Sequence, residues 1–498
     1  MSKKNQNYTN RKQNRFQPER MRGNVFVNNS GKQWLPGENG RAAKVERLLR
    51  GIREEKKEIA GNMAGYKDSG IEWIGAIPKE WKVSKVKHET SFIGSGTTPK
   101  SGCLSFYENG TIPWIQSGDL YETNEVTDTK QKIASEALRS SSALKVYDKD
   151  FIAMAMYGSI GNIAISRIAA CVNQACCCLR PNSRNNLNYM YYFLKTSTDN
   201  FKSKAMGAVL QNISQEKIKK QDFLVPPLPE QQRISDFLDT KCDILDRTID
   251  AVSRQIEDLE KYKKALITKT VTKGICKKGE PERAMKDSGV EWIGKVPEEW
   301  SVKRLKYVLD SIRNGAPAAA VEYSPELPRY VRITDIDDNG RLKKTGKQSL
   351  PEDIAKRYML DKEAVLIASV GSLGKTMLFN PDTEKEKCAF AGYLIEAVTN
   401  PEAMNSKFLF YFIKSNAYMD WANRNFVQTT IQNLSAGRHK NLPVTVPPLA
   451  EQQQIADYLD EKCKNIDNRV QKRRQQLEWL KEYKKSLIFD YVTGKKRV

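Results

Sequence analysis

Apolar side chains in two parts of this chain recur at alternating spacings of four and three. Leu245, Ile249, Val252, Ile256 and Leu259 form one row, the seam of an amphipathic helix that meets another helix. A second row, Ile466, Val470, Arg473, Leu477 and Leu480, has an arginine where the first has Val252. Pro226, Pro227 and Pro229 precede the first row; proline stops the element before it and is tolerated in a first helical turn. Glu230 follows, where an acid suits the positive end of a helix dipole. A helix over 230–270 would run roughly 60 Å at 1.5 Å per residue. The stretch 451–490 matches it in length, and antiparallel pairing of the two buries both seams. The plainer alternative is that each helix packs on its own domain.

Elsewhere the pattern is shorter. Ile112–Ile115 and Phe151–Met154 read as strands, Asn109-Gly110 and Asn339-Gly340 as turns, and Leu187–Leu194 as a helix with an aromatic face. The regions 83–225 and 302–446 therefore each predict an α+β globular domain.

The chain also repeats itself. KDSGIEWIG at 67–75 returns as KDSGVEWIG at 286–294, and VPPLPEQQ at 225–232 returns as VPPLAEQQ at 446–453. Tyr262-Lys263-Lys264 returns as Tyr483-Lys484-Lys485. Words in the same order at nearly one offset mark a tandem duplication. Between them the copies agree only in islands: Gly158–Gly161 with Gly371–Gly374, Gln211–Ser214 with Gln432–Ser435, Tyr191–Lys195 with Phe410–Lys414, and Trp114-Ile115 with Tyr330-Val331. The expected fold class is α+β: a tandem duplication of an α+β domain followed by a long helix, the two helices forming an antiparallel coiled-coil pair with pseudo-two-fold symmetry. The expected segments are 1–62, a basic extension, partly disordered with a short helix; 66–227, a first domain; 228–275, a helix; 285–448, a second domain; and 449–492, a closing helix.

Composition narrows the function. Lys and Arg number 82 against 60 acids in 498 residues, a net charge of +22, which points to nucleic acid first and an anionic membrane second. Nine cysteines, three of them consecutive at Cys176–Cys178, lack any CxxC pair, and the histidines are two, His88 and His439. That excludes an ordinary zinc site and suggests reduced, buried thiols. Without an apolar run of membrane-spanning length, and with a polar N-terminus, a cytoplasmic protein with no membrane partner is expected. Phosphate-cradling, nucleophile-elbow and HExxH motifs are missing. Phe379-Asn380-Pro381-Asp382 only superficially resembles a methyltransferase word, and Pro381, Asp382, Glu384 and Lys385 are too crowded for a nuclease signature. A non-catalytic role is expected.

The paired KDSG…EW words (67–81 and 286–300), PPLPEQQRI (226–234) and PPLAEQQQI (447–455) resemble those of type I restriction–modification specificity subunits, and so do the islands GSIG, QNIS, GSLG and QNLS with WIQSGD and YVRITDID. The resemblance spans about 66–498; residues 1–62 depart from it, and this extension would pack near the helix pair, bind DNA non-specifically, or stem from an early start codon, with Met63 as the family-like start. It implies two target-recognition domains held apart by a long antiparallel helix pair. It implies assembly with two modification (methyltransferase) subunits that bind S-adenosylmethionine and with restriction (motor–nuclease) subunits that use ATP and magnesium, this chain binding no cofactor itself. The target would be a bipartite, asymmetric double-stranded DNA sequence. The alternatives are a coiled-coil scaffold for proteins alone and a stand-alone DNA-modifying enzyme.

Base edges are read by side chains such as Arg, Asn, Gln, Ser and Thr, and phosphates by Lys, Arg and backbone amides. The candidates in the first copy are Gln116, Ser117, Gly158, Ser159, Gln211, Asn212 and Lys217; in the second they are Arg332, Thr334, Gly371, Ser372, Gln432, Asn433 and Arg438. Each has a plainer role: strand end, tight turn or helix cap. Trp73, Trp81, Trp292 and Trp300 read as packing anchors, and the lysines near 261–264 and 484–485 as a solvated helix face.

Overall fold

The computed structural model describes residues 65–498 apart from 101, 158–160, 206–212, 276–278, 280–282 and 426–433, with backbone alone over 199–205. The N-terminal extension 1–62 and its expected short helix lie outside the described residues.

Each copy opens with a short hairpin. Tyr66–Asp68 pairs antiparallel with Ala76–Pro78, and Met285–Asp287 with Lys295–Pro297. Next comes a ribbon that ties the two ends of each variable region together: Lys82–Lys85 against Asp222–Val225, and Ser301–Arg304 against Pro443–Val446. Inside each region stand a larger and a smaller sheet. The larger sheet of the first copy orders Thr90–Ser95, Cys176–Pro181, Phe151–Ala155, Ile163–Ser166 and Glu125–Val126. In the second copy it orders Leu309–Asn314, Leu394–Thr399, Ala364–Ala368 and Thr376–Phe379. In the smaller sheets Cys171–Val172 runs parallel to Ile112–Ile115, and Cys388–Phe390 parallel to Arg329–Val331.

Successive strand side chains point to opposite faces, so a strand covered on both sides is apolar throughout. Cys177 enters the core it shares with the helices, while Cys176 and Cys178 enter a second core behind the sheet. Ile152 and Met154 alternate in the same way with Phe151, Ala153 and Ala155. Burial pushes the Cys176 and Cys178 thiols up to about 12, which makes them inert packing groups.

The principal helices are α1 (Leu187–Ala205), α2 (Leu228–Lys273), α3 (Ser406–Ile413), α4 (Asn416–Asn425) and α5 (Leu449–Val492). The aromatic face expected on α1 is present: Tyr189, Tyr191, Tyr192 and Phe193 are buried. Contacts between α2 and α5 run in opposite order along the two. The Phe237 ring meets Tyr491 at 4.4 Å, Lys484 pairs with Asp246 at 2.5 Å, Arg474 with Glu260 at 2.8 Å, and Lys263 with Asp467 at 2.6 Å. Leu245, Val252, Ile256, Ile466, Val470 and Leu480 share one buried cluster, with Ile249, Leu259 and Leu477 at its edge. Arg473 turns outward and donates to Gln476 at 2.7 Å, so the break in the seam stays wet.

The alternative in which each helix packs on its own domain does not hold, because the helix ends are exchanged. Leu487, Ile488, Tyr491 and Val492 of α5 complete the first core, and Ile267 and Val271 of α2 complete the second. One expectation is revised: the lysine-rich stretches are not wholly solvated. The side chains of Lys263 and Lys484 are only 18% and 15% exposed, because each lies beside the seam facing an aspartate on the opposite helix.

The repeated words are the joints of this frame. Trp81 and Trp300, both fully buried, donate their indole N–H to Glu230 (3.1 Å) and Glu451 (2.9 Å). The adjoining Gln231 and Gln452, also fully buried, accept from the backbone of Asn186 and Asn405 and donate to the carbonyls of Pro226 and Pro447. Gln232 and Gln453 accept from the side-chain amides of the same two asparagines. The glutamate and both glutamines of each PPL-x-EQQ word therefore serve helix docking.

Candidate nucleic-acid interface

The two islands of each variable region converge. The Ile213 amide donates to the Met156 carbonyl at 3.0 Å, and the Leu434 amide donates to the Ser369 carbonyl at 2.9 Å. These bonds sit at the roots of the GSIG and QNIS words in the first copy, and of GSLG and QNLS in the second. Gly158, Ser159, Gln211, Asn212, Gln432 and Asn433 lie outside the described residues. Gly371 and Ser372 are described and exposed, and Gly371 adopts φ +69, a turn conformation that favours glycine, with open space where a Cβ would stand.

A short basic helix follows each second island. In the first copy Ser214 caps Gln215–Lys219, accepting from the Lys217 amide at 3.3 Å, and the Lys217 side chain is exposed. Lys219 pairs with Glu216 at 2.9 Å and, with Lys220 and Lys87 nearby, holds that carboxyl below its usual range. In the second copy Ala436–His439 carries exposed Arg438, whose guanidinium also donates to the Asn425 carbonyl. The Lys306 amide donates to the Lys440 carbonyl at 3.1 Å, which brings a further exposed lysine alongside.

Ile218 anchors the first basic helix and His439 the second, both fully buried. A carbonyl oxygen can only accept, so His439 Nδ1 donates to Ser435 O at 3.1 Å, and its Nε2 accepts from Tyr418 at 2.9 Å. Burial pushes the imidazole down to about 4, so it is neutral.

The third pair of candidates occupies one backbone geometry. Gln116 and Arg332 each precede a short 3-10 turn at φ −112, ψ 165, and each donates its amide at 2.9 Å to an aspartate three residues on, Asp119 or Asp335. Their side chains differ. Gln116 donates to Gln131 at 2.7 Å on the surface. The Arg332 guanidinium is held by both Asp335 oxygens, by Gln348 and by the Gly346 carbonyl, so it shapes its own loop. Ser117 is half-buried, while Thr334 is exposed and its carbonyl accepts from Lys343 at 2.8 Å.

The structure thus brings together the roots of the two islands and the basic helix in each copy. Gln116-Ser117 and Arg332–Thr334 stand apart from these, on the 3-10 turns that directly follow the smaller-sheet strands Ile112–Ile115 and Arg329–Val331. Two lysines passed unremarked within the Tyr191–Lys195 and Phe410–Lys414 islands. Lys195 and Lys414 are half-buried where each variable region meets the helices, and desolvation there pushes both down to about 8. A cation repeated inside an otherwise aromatic word was the available signal.

The model of the type I restriction modification DNA specificity domain matches residues 78–261 and 297–478. The chain belongs to that family. The chain is 26% identical over 317 residues to the type I restriction enzyme MjaVIII specificity subunit of Methanocaldococcus jannaschii, covering 62% of this chain and 70% of that one. The putative MjaX specificity subunit of the same organism is 26% identical over 454 residues, covering 85% and 96%. A solved structure concerned with complex assembly and conformational transition of the type I R-M system aligns over 84% of this chain and 99% of its own. Its TM-score is 0.63 at 16% identity, a likeness of fold. Among the described residues no helix is long and apolar enough to cross a membrane.

Proposed function

We propose that this chain is the sequence-specific DNA-binding specificity subunit of a type I restriction–modification complex. Each variable region reads one half of a bipartite duplex target, and α2 with α5 acts as a coiled-coil spacer between them. The observation that carries this reading is the pair of equivalent loop-and-basic-helix clusters, one in each exchanged core, joined by helices 46 and 44 residues long. Such helices extend roughly 65–70 Å at 1.5 Å per residue, a reach suited to two half-sites at fixed separation. The side chains at equivalent loop positions differ, so the half-sites differ. Methyl transfer and cleavage belong to the partners: two modification subunits carrying S-adenosylmethionine, and restriction subunits using ATP and magnesium. The specificity chain is not an enzyme on its own and acts in the cytoplasm.

The deciding experiment is methylome sequencing of cells expressing the chain with and without its modification subunit. A new bipartite methylated motif that requires both proteins supports the assignment. A demonstrated complex that leaves no motif refutes it and favours a protein-only scaffold. Inserting two heptads after Ile256 should lengthen the unread spacer and keep both half-sites.

A further inference from the structure

Lys195 and Lys414 occupy equivalent positions in two unlike settings. In the first copy the site is sealed. Lys195 donates to Asn124 Oδ1 at 2.7 Å and to the Tyr191 hydroxyl at 2.8 Å; Tyr191 itself donates to Asn124 at 2.9 Å, and the Asn124 amide reaches Asp246 on α2 at 3.3 Å. In the second copy Phe410 stands where Tyr191 does and offers no hydroxyl. Among the described residues the Lys414 ammonium makes one hydrogen bond, a long one of 3.4 Å to the Asp338 carbonyl, and lies 4.6 Å from the Phe410 ring centre.

Lys414 instead lines a cavity of about 840 Å³ between the second variable region and the helix pair. Lys263, Lys264, Arg341, Lys464 and Arg474 line it with Lys414. Some of this charge is neutralised within the wall: Asp467 holds Lys263, and Glu260 holds Arg474. Asp337 Oδ1 accepts from the backbone amides of Asn339 and Arg341. Lys264, Lys414, Lys464 and Arg341 have no carboxylate partner within hydrogen-bonding distance among the described residues, and Asp338 is the remaining acid on the wall. Ile267, Met419 and Val470 add an apolar side.

We propose that this cavity binds a phosphate group, carried either by a free nucleotide or by the DNA backbone. Several separate ammonium groups around one space suit a phosphate, which accepts from many directions. The volume far exceeds one water and leaves room for the rest of a nucleotide. Desolvation and the neighbouring Lys263 charge hold Lys414 down to about 8, and a bound anion would relieve both. A phosphate here bridges the second recognition region to both long helices, whereas in the first copy Asn124 already ties that region to α2. The site stands independently of which DNA sequence is read.

The test is isothermal titration of the full chain with inorganic phosphate and with AMP, ionic strength being held constant with chloride. Saturable binding is expected. Lys414→Met should weaken it roughly tenfold or more, the loss expected for one charge-assisted hydrogen bond. Arg341→Ala, at an exposed position that does not carry the fold, should also weaken it, while Lys195→Met should leave it unchanged. Heat that never saturates, or wild-type affinity in both the Lys414 and Arg341 variants, overturns the proposal. Added duplex separates the sources: displaced phosphate assigns the site to the DNA backbone, and retained phosphate assigns it to a free nucleotide. Saturable phosphate binding without a methylation motif would sink the recognition function alone, and a motif without phosphate binding would sink the cavity alone.

Discussion

Trp81 and Trp300 hold the same place in the two copies and do the same thing, each binding the glutamate that opens the next long helix. Gln116 and Arg332 also hold the same place, on superposable backbone, and do different things: one amide pairs loosely at the surface, and one guanidinium is locked into its loop. Scaffold positions keep both backbone and contact, whereas loop positions keep the backbone and change the contact. A frame of this kind lets a reading surface change without disturbing the joints that fix where it stands.

The comparison can be broken first at the joints. Trp81→Ala and Trp300→Ala each remove a fully buried indole and should cost about 3–5 kcal/mol. Thermal melting of the two variants should show similar losses; a large inequality would mean that the joints are not equivalent. Next come the exchanged helix ends. Ile267→Ala in α2 should destabilise the second core by about 2–5 kcal/mol, although the residue lies in the helix that begins at the first. Hydrogen exchange should report the loss in 285–448; loss confined to 66–227 would contradict the exchange.

The anchors of the basic helices sharpen the contrast through pH. The His439 imidazole is pushed down to about 4, so between that pH and its ordinary value near 6.5 the unfolded chain binds more protons than the folded one. Stability must then rise with pH across this window and be lost on acidification, by up to about 3 kcal/mol. His439→Ile, which copies Ile218, should flatten that slope in a pH series of denaturant melts; an unchanged slope would show that His439 is not its source. The smallest effects belong to the exposed cations. Lys217→Ala and Arg438→Ala should leave melting unchanged and each reduce the salt dependence of duplex binding by about one counterion. A melting change without a change in salt slope would make them structural.

Much of the frame was legible because repetition and periodicity are properties of sequence itself. The α2 seam from Leu245 to Leu259, the α1 aromatic face and the burial of Cys176–Cys178 follow from spacing alone. The exchange of helix ends did not show, because the seams read in sequence stop at Leu259 and Leu480, and a seam does not record which core receives residues further on such as Ile267 and Leu487. The site was legible only as converging words. Among the described residues the roots of GSIG and QNIS are joined by the backbone hydrogen bond from Ile213 to Met156, and local patterning carries no record of so distant a pairing. Arg332 was singled out by residue type alone; that its guanidinium is held by Asp335, an acid visible in the same word, is seen only in the structure.

The return of α5 to the first core also orders events during synthesis. Tyr189 donates to the Val492 carbonyl, Lys495 reaches the Ala76 carbonyl in the opening hairpin, and Arg497 reaches Glu80 just after it. The first core therefore cannot close until α5 has been synthesised. Until then its apolar surface stays open through the translation of the entire second copy, an interval in which chaperone engagement or assembly with a partner can intervene.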